Sequence, residues 1–357
     1  MLKGPLRKPP ESTPGDPQHE LERRDMPDSV KRKPTWQRRA FSFLRFLVTA
    51  SLLGFILRLV DVSDVVRLVR SASAPLLAAT LLVAMADRML MVAKWYPLLR
   101  IQDVAVSFVR ATRAYLASGV AHYFLPASVG ADVLRAAVLG RGGSFIVEVS
   151  ASIVAERALG LVASALMSLA SLAIALRLGL PVELILPWAL FAALAGVVIL
   201  VVPLNQRVLS FMRNGKVLQR IGSARSYVER FAEAYTVYRK RIGVLQVVGW
   251  LTVLEQLFPI AILWLLGQAL NIPVGMTAAV VAVPLTTFVV RLPISFGGLG
   301  VGEGALVYLL GLFGVSPTEA LTLALSTRVV EILVNAGPSL FLWRDLVSVR
   351  RLSPKTS

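Results

Sequence analysis

Apolar residues fill whole windows of this chain, each about as long as a membrane is thick, and short basic segments separate them. A helix rising ~1.5 Å per residue needs ~20 residues to cross the hydrocarbon layer. The run 41–60, FSFLRFLVTASLLGFILRLV, meets that length, with Arg45 and Arg58 near its ends where they can snorkel to headgroups. Similar runs follow at 74–93, 148–176 and 183–203, with a weaker one near 104–124. The second half carries four more, at 243–266, 272–290, 298–314 and 319–343. Residues 61–73, with Asp61, Asp64, Arg67 and Arg70, read as a short amphipathic piece. The pattern predicts an all-α polytopic membrane protein of about eight transmembrane helices, plus broken or re-entrant helices.

The polar segments set the organisation. Residues 1–40 hold Pro9, Pro10, Pro14, Pro17, Pro27 and Pro34 among mixed charges and few apolar anchors, which reads as a disordered tail. The first apolar run lacks a small-residue cleavage site and is read as a membrane span rather than a signal peptide. Residues 41–345 form the transmembrane domain and 346–357 a short tail. The internal connection 205–241 carries nine Lys or Arg against Glu229 and Glu233, as expected of a basic amphipathic loop at the cytoplasmic surface. Lys31, Arg32 and Lys33 at one end, and Arg350, Arg351 and Lys355 at the other, place both termini on the same side. The inner (cytoplasmic) membrane is the expected location. Five long runs precede the loop, yet an even number of crossings must separate two cytoplasmic segments. Either 104–124 dips and returns, or 125–141 adds a crossing of its own.

Composition agrees with this class. The chain is 56% apolar and 17% charged, with a mean hydropathy of +0.69, too apolar for a soluble surface. The net charge of +17 would suggest nucleic acid in a soluble protein; here it gathers beside apolar spans, so no nucleic-acid partner is expected. The absence of cysteine removes thiolate and disulfide chemistry, and His19 and His122 are too few for a histidine metal cluster. No Walker or HExxH motif occurs, so neither a metal nor another cofactor is expected.

Two stretches do not fit plain spans. Leu125-Pro126-Ala127-Ser128-Val129-Gly130 matches Leu292-Pro293-Ile294-Ser295-Phe296-Gly297 at Leu, Pro, Ser and Gly. An acid follows each, Asp132 and Glu303, and then a long span with an arginine, Arg157 lying 31 residues after Pro126 and Arg328 35 after Pro293. Proline breaks a helix, and the glycines Gly297, Gly298, Gly300, Gly302 and Gly304 are too dense for a regular span. Irregular backbone at membrane depth is tolerated where protein or a wet cavity satisfies it, as at the central sites of repeat-built transporters. An odd number of crossings between the motifs would make this an inverted internal repeat. The plainer reading is a pair of tight turns without a ligand.

The ionisable residues weigh on that choice, because charges inside a bilayer normally face protein or an aqueous path. Asp132 and Arg135 can pair at i,i+3, as can Arg328 and Glu331, whereas the adjacent Glu156 and Arg157 point apart and each needs its own partner. Asp87 and Arg88 either join the site or pair near a helix end. Arginine offers a fixed donor fork suited to phosphate, and broken-helix N-termini add positive dipole ends.

These residues carry a resemblance. The stretches FLPASVGADVLRAAVLGRGG, SASIVAERALGL and LPISFGGLGVGEGAL, with STRVVE and the basic central loop, resemble the lysylphosphatidylglycerol synthase transmembrane-region family, a flippase-like integral membrane domain. The likeness covers about 41–345. In full-length synthases a cytosolic aminoacyl-transferase domain follows; this chain ends twelve residues after Asp345, so that activity is not carried over. The resemblance implies translocation of an anionic or modified phospholipid, or of a lipid-linked headgroup. It places Pro126, Ser128, Gly130, Asp132, Arg135, Glu156 and Arg157 at a first motif site, and Pro293, Ser295, Gly297, Gly298, Glu303 and Arg328 at a second. The expected partners are the lipid substrate and membrane lipids, with a homo-oligomer or a separate lipid-synthesis enzyme as further candidates. Two alternatives remain open: an intramembrane lipid-modifying enzyme using Asp132, Glu156 or Glu303 as acid or base, and a non-catalytic membrane scaffold.

Overall fold

The structure, a computed structural model, describes residues 63, 67, 70–119, 129–140, 145–181, 186, 187, 190, 191, 194, 236–238, 240–291 and 300–348. The chain divides into two units, Met1–Phe41 and Ser42–Ser357, and the described residues all belong to the second. Among them every regular element is a helix. In chain order these are α1 (Ala74–Ile101), α2 (Phe108–Gly119), α3 (Val129–Leu139), α4 (Ile146–Arg177), α5 (Ile242–Glu255), α6 (Leu257–Ala269), α7 (Met276–Arg291), α8 (Val301–Gly311) and α9 (Pro317–Ser348). The runs at 41–60 and 183–203, the loop 205–241 and both tails lie wholly or largely outside the described residues.

Three described stretches are long and apolar enough to cross a membrane: α1, α4, and α5 with α6. The protein is a membrane-embedded, all-α polytopic chain. Large apolar side chains on the outer faces, such as Leu82 on α1 and Trp250 on α5, are mostly exposed, as expected where lipid replaces water as the solvent.

Helix α1 differs from its sequence expectation, running on from residue 93 to Ile101. The apolar run ends at Lys94 because lysine usually marks the membrane edge. Here Lys94 is buried and paired with Glu255, so its charge does not end the span. The extension moves Asp87 and Arg88 from near a helix end to the middle of α1. The span expected near 243–266 divides at Gln256 into α5 and α6. Pro259 accounts for this: it has no N–H to give the carbonyl of Glu255.

The described residues fall into two like sequences of elements. A 28-residue span comes first: α1 in one half, α5 with α6 in the other. A shorter helix follows, α2 or α7, and then an 11-residue helix, α3 or α8. A 32-residue helix closes each half, α4 or α9. At ~1.5 Å per residue, α3 and α8 are each about 16 Å long, roughly half the hydrocarbon thickness. Packing between the halves is reciprocal: α4 lies on α7 and α9 on α2, α5 contacts α4 and α9 contacts α1, and α1 packs along α6.

Small side chains let these helices approach. The buried face of α4 includes Ala151, Ala155, Ala158, Gly160, Ala163 and Ser168. Pro284 inside α7 cannot bond the carbonyl of Val280, and the Ser171 hydroxyl of α4 donates to that oxygen at 2.8 Å. In the reciprocal contact Gly119 closes α2 against Asn335 of α9; a Cβ built at Gly119 would lie 2.8 Å from Asn335 Oδ1.

Candidate functional site

The second half shows how the start of α8 is tied down. Gly300 has φ +79°, a left-handed conformation that glycine adopts without steric cost, and it turns the chain into α8. The first N–H groups of a helix have no partner within the helix, and one buried in a membrane must find one. Glu303 in the first turn supplies it: Oε2 accepts from the Gly300 N–H at 2.7 Å. Its other oxygen, Oε1, accepts from Arg328 of α9, Nη2 at 2.9 Å and Nε at 3.3 Å. Arg328 Nη1 reaches Glu331 Oε2 at 3.4 Å. Glu303 is buried, and it fixes the start of α8 to the middle of α9.

The first half repeats the arrangement. Asp132, in the first turn of α3, accepts from Arg157 of α4 on Oδ2, with Nε at 3.0 Å and Nη2 at 2.9 Å. In both halves the arginine presents the same side of its guanidinium, Nε with Nη2, to a single carboxylate oxygen. The acid and arginine are 25 residues apart in each case. An offset of 171 residues carries Asp132 to Glu303 and Arg157 to Arg328, whereas the two LPxSxG stretches are offset by 167. The four-residue difference falls before the acid, in the glycine-rich stretch of the second half.

Beyond the shared latch, the halves differ. The same offset places Leu306 opposite Arg135 and Thr327 opposite Glu156, so only the first half carries this second buried charge pair. Arg135 Nη2 meets Asp132 Oδ1 at 3.1 Å and Glu156 Oε2 at 2.9 Å. Its guanidinium carbon lies 4.3 Å from the Trp95 ring centroid and 4.7 Å from that of Tyr115, so the cation rests on two aromatic faces. Trp95 is held by an indole N–H donated to Ser152 Oγ at 3.1 Å, and the Tyr115 hydroxyl stands 3.5 Å from Glu156 Oε1. Glu156 and Arg157 do point apart, one to Arg135 and the other to Asp132. Arg157 differs from Arg135 in access: 48% of its side chain is open, against 5%. An open, charged arginine partway along a spanning helix requires water or a headgroup beside it.

Pro126 and Ser128, and Pro293, Ser295, Gly297 and Gly298, lie outside the described residues; Gly130 lies in the first turn of α3. The structure brings Asp132, Arg135, Glu156 and Arg157 together in one cluster, and Glu303 and Arg328 in another. It adds groups that the sequence reading missed. Lys94 and Glu255 form a buried ion pair between α1 and α5. Trp95 and Tyr115 provide the faces for Arg135. Asp87 and Arg88, which the sequence offered either to the site or to a pairing near a helix end, pair at 2.8 Å in mid-helix and line a cavity of ≈ 40 Å³ with Thr327 and Glu331 of α9 and Pro259 and Ile262 of α6. The lone charges Lys94 and Glu255 inside apolar runs were the available signal for their pair. No group of three potential metal ligands occurs among the described residues.

The family described as "Lysylphosphatidylglycerol synthase TM region" matches residues 42–338. Neither the curated proteins nor the solved structures gave a match.

Proposed function

The chain belongs to the lysylphosphatidylglycerol synthase TM region family, and from that premise we propose that it moves the headgroup of an anionic or modified phospholipid, or of a lipid-linked compound, across the membrane. The observation that carries this reading is the doubled acid–arginine latch, Asp132–Arg157 and Glu303–Arg328, at equal spacing on equivalent short and long helices. A guanidinium side that grips one carboxylate oxygen can grip a phosphate oxygen. Each acid is then an internal counter-ion, holding its arginine in place until a headgroup phosphate takes over. The cost of a bare arginine in hydrocarbon is avoided throughout the exchange.

In this reading α3 and α8 are re-entrant half-helices, and the two halves lie in the membrane with opposite orientation. Alternating access then follows from one half rocking against the other across the reciprocal α4–α7 and α9–α2 contacts. The open side of Arg157 marks the face from which a headgroup enters. The basic segments at the N-terminus, in 205–241 and at the C-terminus face the cytoplasm at the inner membrane. The test is reconstitution in liposomes with labelled anionic and aminoacyl lipids, reading lipid movement per folded molecule for the wild type and for Arg157→Lys and Arg328→Lys.

A further inference from the structure

We infer that Asp87 is a reversible proton-binding site, and that its protonation hands Arg88 from Asp87 to Glu331. Asp87 is 2% exposed and sits at the middle of α1. Its Oδ2 takes Arg88 Nη2 at 2.8 Å, while Oδ1 is buried with no hydrogen-bond partner among the described residues. A buried carboxylate with one bare oxygen is costly; a proton on that oxygen removes the charge and turns it into a donor. The adjoining cavity of ≈ 40 Å³ has room for water to receive that bond and carry the proton.

The surrounding charges favour a proton over a metal cation. Arg88 occupies the same cavity and would repel a bound metal ion. Around Asp87 stand Arg88 and Lys94 of its own helix and Glu255 of α5, and Glu331 of α9 lines the same cavity. α2 contributes Tyr115 on the Arg88 side, where Glu156 of α4 stands 3.5 Å from the Tyr115 hydroxyl. The α6 wall, Pro259 and Ile262, is apolar.

Protonation of Asp87 balances simply: one proton from bulk solvent, relayed by cavity water that is itself left neutral, binds Oδ1, and the Arg88–Asp87 ion pair becomes a weaker contact to a neutral acid. Arg88 then turns to Glu331, which also contacts Arg328 Nη1 at 3.4 Å. A proton on α1 thereby changes the balance of charge at the Glu303–Arg328 latch. Its use as a coupling ion rests on the translocation reading; the proton site itself does not.

The test is infrared difference spectroscopy on the full-length protein in lipid, stepping from mildly alkaline to mildly acidic buffer and reading the C=O stretch of protonated carboxyl groups. The expected wild-type result is a band that grows on acidification, moves in frequency in Asp87→Glu, persists in Glu255→Gln and is lost in Asp87→Asn. In Glu331→Gln the band is expected at more acidic pH, because Arg88 loses its alternative acceptor. A band that survives unchanged in Asp87→Asn, or no titrating band in the wild type, would overturn the site. An unmoved midpoint in Glu331→Gln would overturn the hand-over. None of these readings depends on lipid movement, so failure here and failure of translocation are separate results.

Discussion

Arg328 and Glu303 meet through two nitrogens on one oxygen, and Arg157 and Asp132 meet in the same way 171 residues earlier in the chain. Each pair joins the first turn of an 11-residue helix to the twelfth residue of a 32-residue helix. The two pairs differ in burial. Arg328 is 18% open on a nearly closed Glu303, whereas Arg157 is 48% open.

That difference predicts unequal damage when the arginines are removed. Stranding a buried carboxylate costs about 3–5 kcal/mol, whereas losing one partner of an open pair costs about 0–1 kcal/mol. Arg328→Leu should therefore lower the melting temperature in detergent much more than Arg157→Leu. Equal losses would mean that exposure does not govern these pairs.

Gly119 tests the contact between the halves. Its hydrogen faces Asn335, so Gly119→Val should push α2 from α9 and destabilise the protein by about 1–3 kcal/mol. Asn335→Ala in the same chain should recover part of that loss, since it removes the obstructing amide. Thermal unfolding of the single and double variants checks the pair; additive losses would contradict the close approach.

The aromatic seat of Arg135 gives a third expectation. A guanidinium can sit over both the Trp95 and Tyr115 rings, whose centroids are 5.8 Å apart, while pairing with Asp132 and Glu156, but an ammonium cannot satisfy all four in one position. Arg135→Lys should therefore lose about 0.5–2 kcal/mol despite keeping the charge. In a Trp95→Leu background, part of this loss should disappear. Melting curves of the four chains measure the coupling.

Topology can be tested directly because the chain contains no cysteine. Gly215→Cys in the basic loop should resist an impermeant thiol reagent applied outside intact cells and react once the membrane is opened. Labelling in intact cells would reverse the proposed orientation.

Much of this was legible in the sequence. Long apolar runs gave the membrane class, because it follows from local composition, whereas the Pro/Gly breaks before α3 and α8 lie largely outside the described residues. Pairing was only partly legible. Asp132–Arg135 and Arg328–Glu331 are neighbours on one helix, so spacing alone suggests them. Glu303–Arg328 and Asp132–Arg157 join different helices, and their equal 25-residue spacing was obscured by counting from the prolines, before the four-residue insertion. Lys94 misplaced the end of α1 because its neutralising partner, Glu255, is 161 residues away.

The most direct measurement is lipid-headgroup movement in liposomes per correctly folded molecule, for wild type, Arg157→Lys, Arg328→Lys and the two lysine changes together. Lysine keeps the charge but loses the two-nitrogen grip, so each single variant should fold, retain its acidic partner and move headgroups at least tenfold more slowly, with the double variant slower still. Wild-type rates in well-folded chains carrying both lysines would contradict the headgroup role of the paired latches.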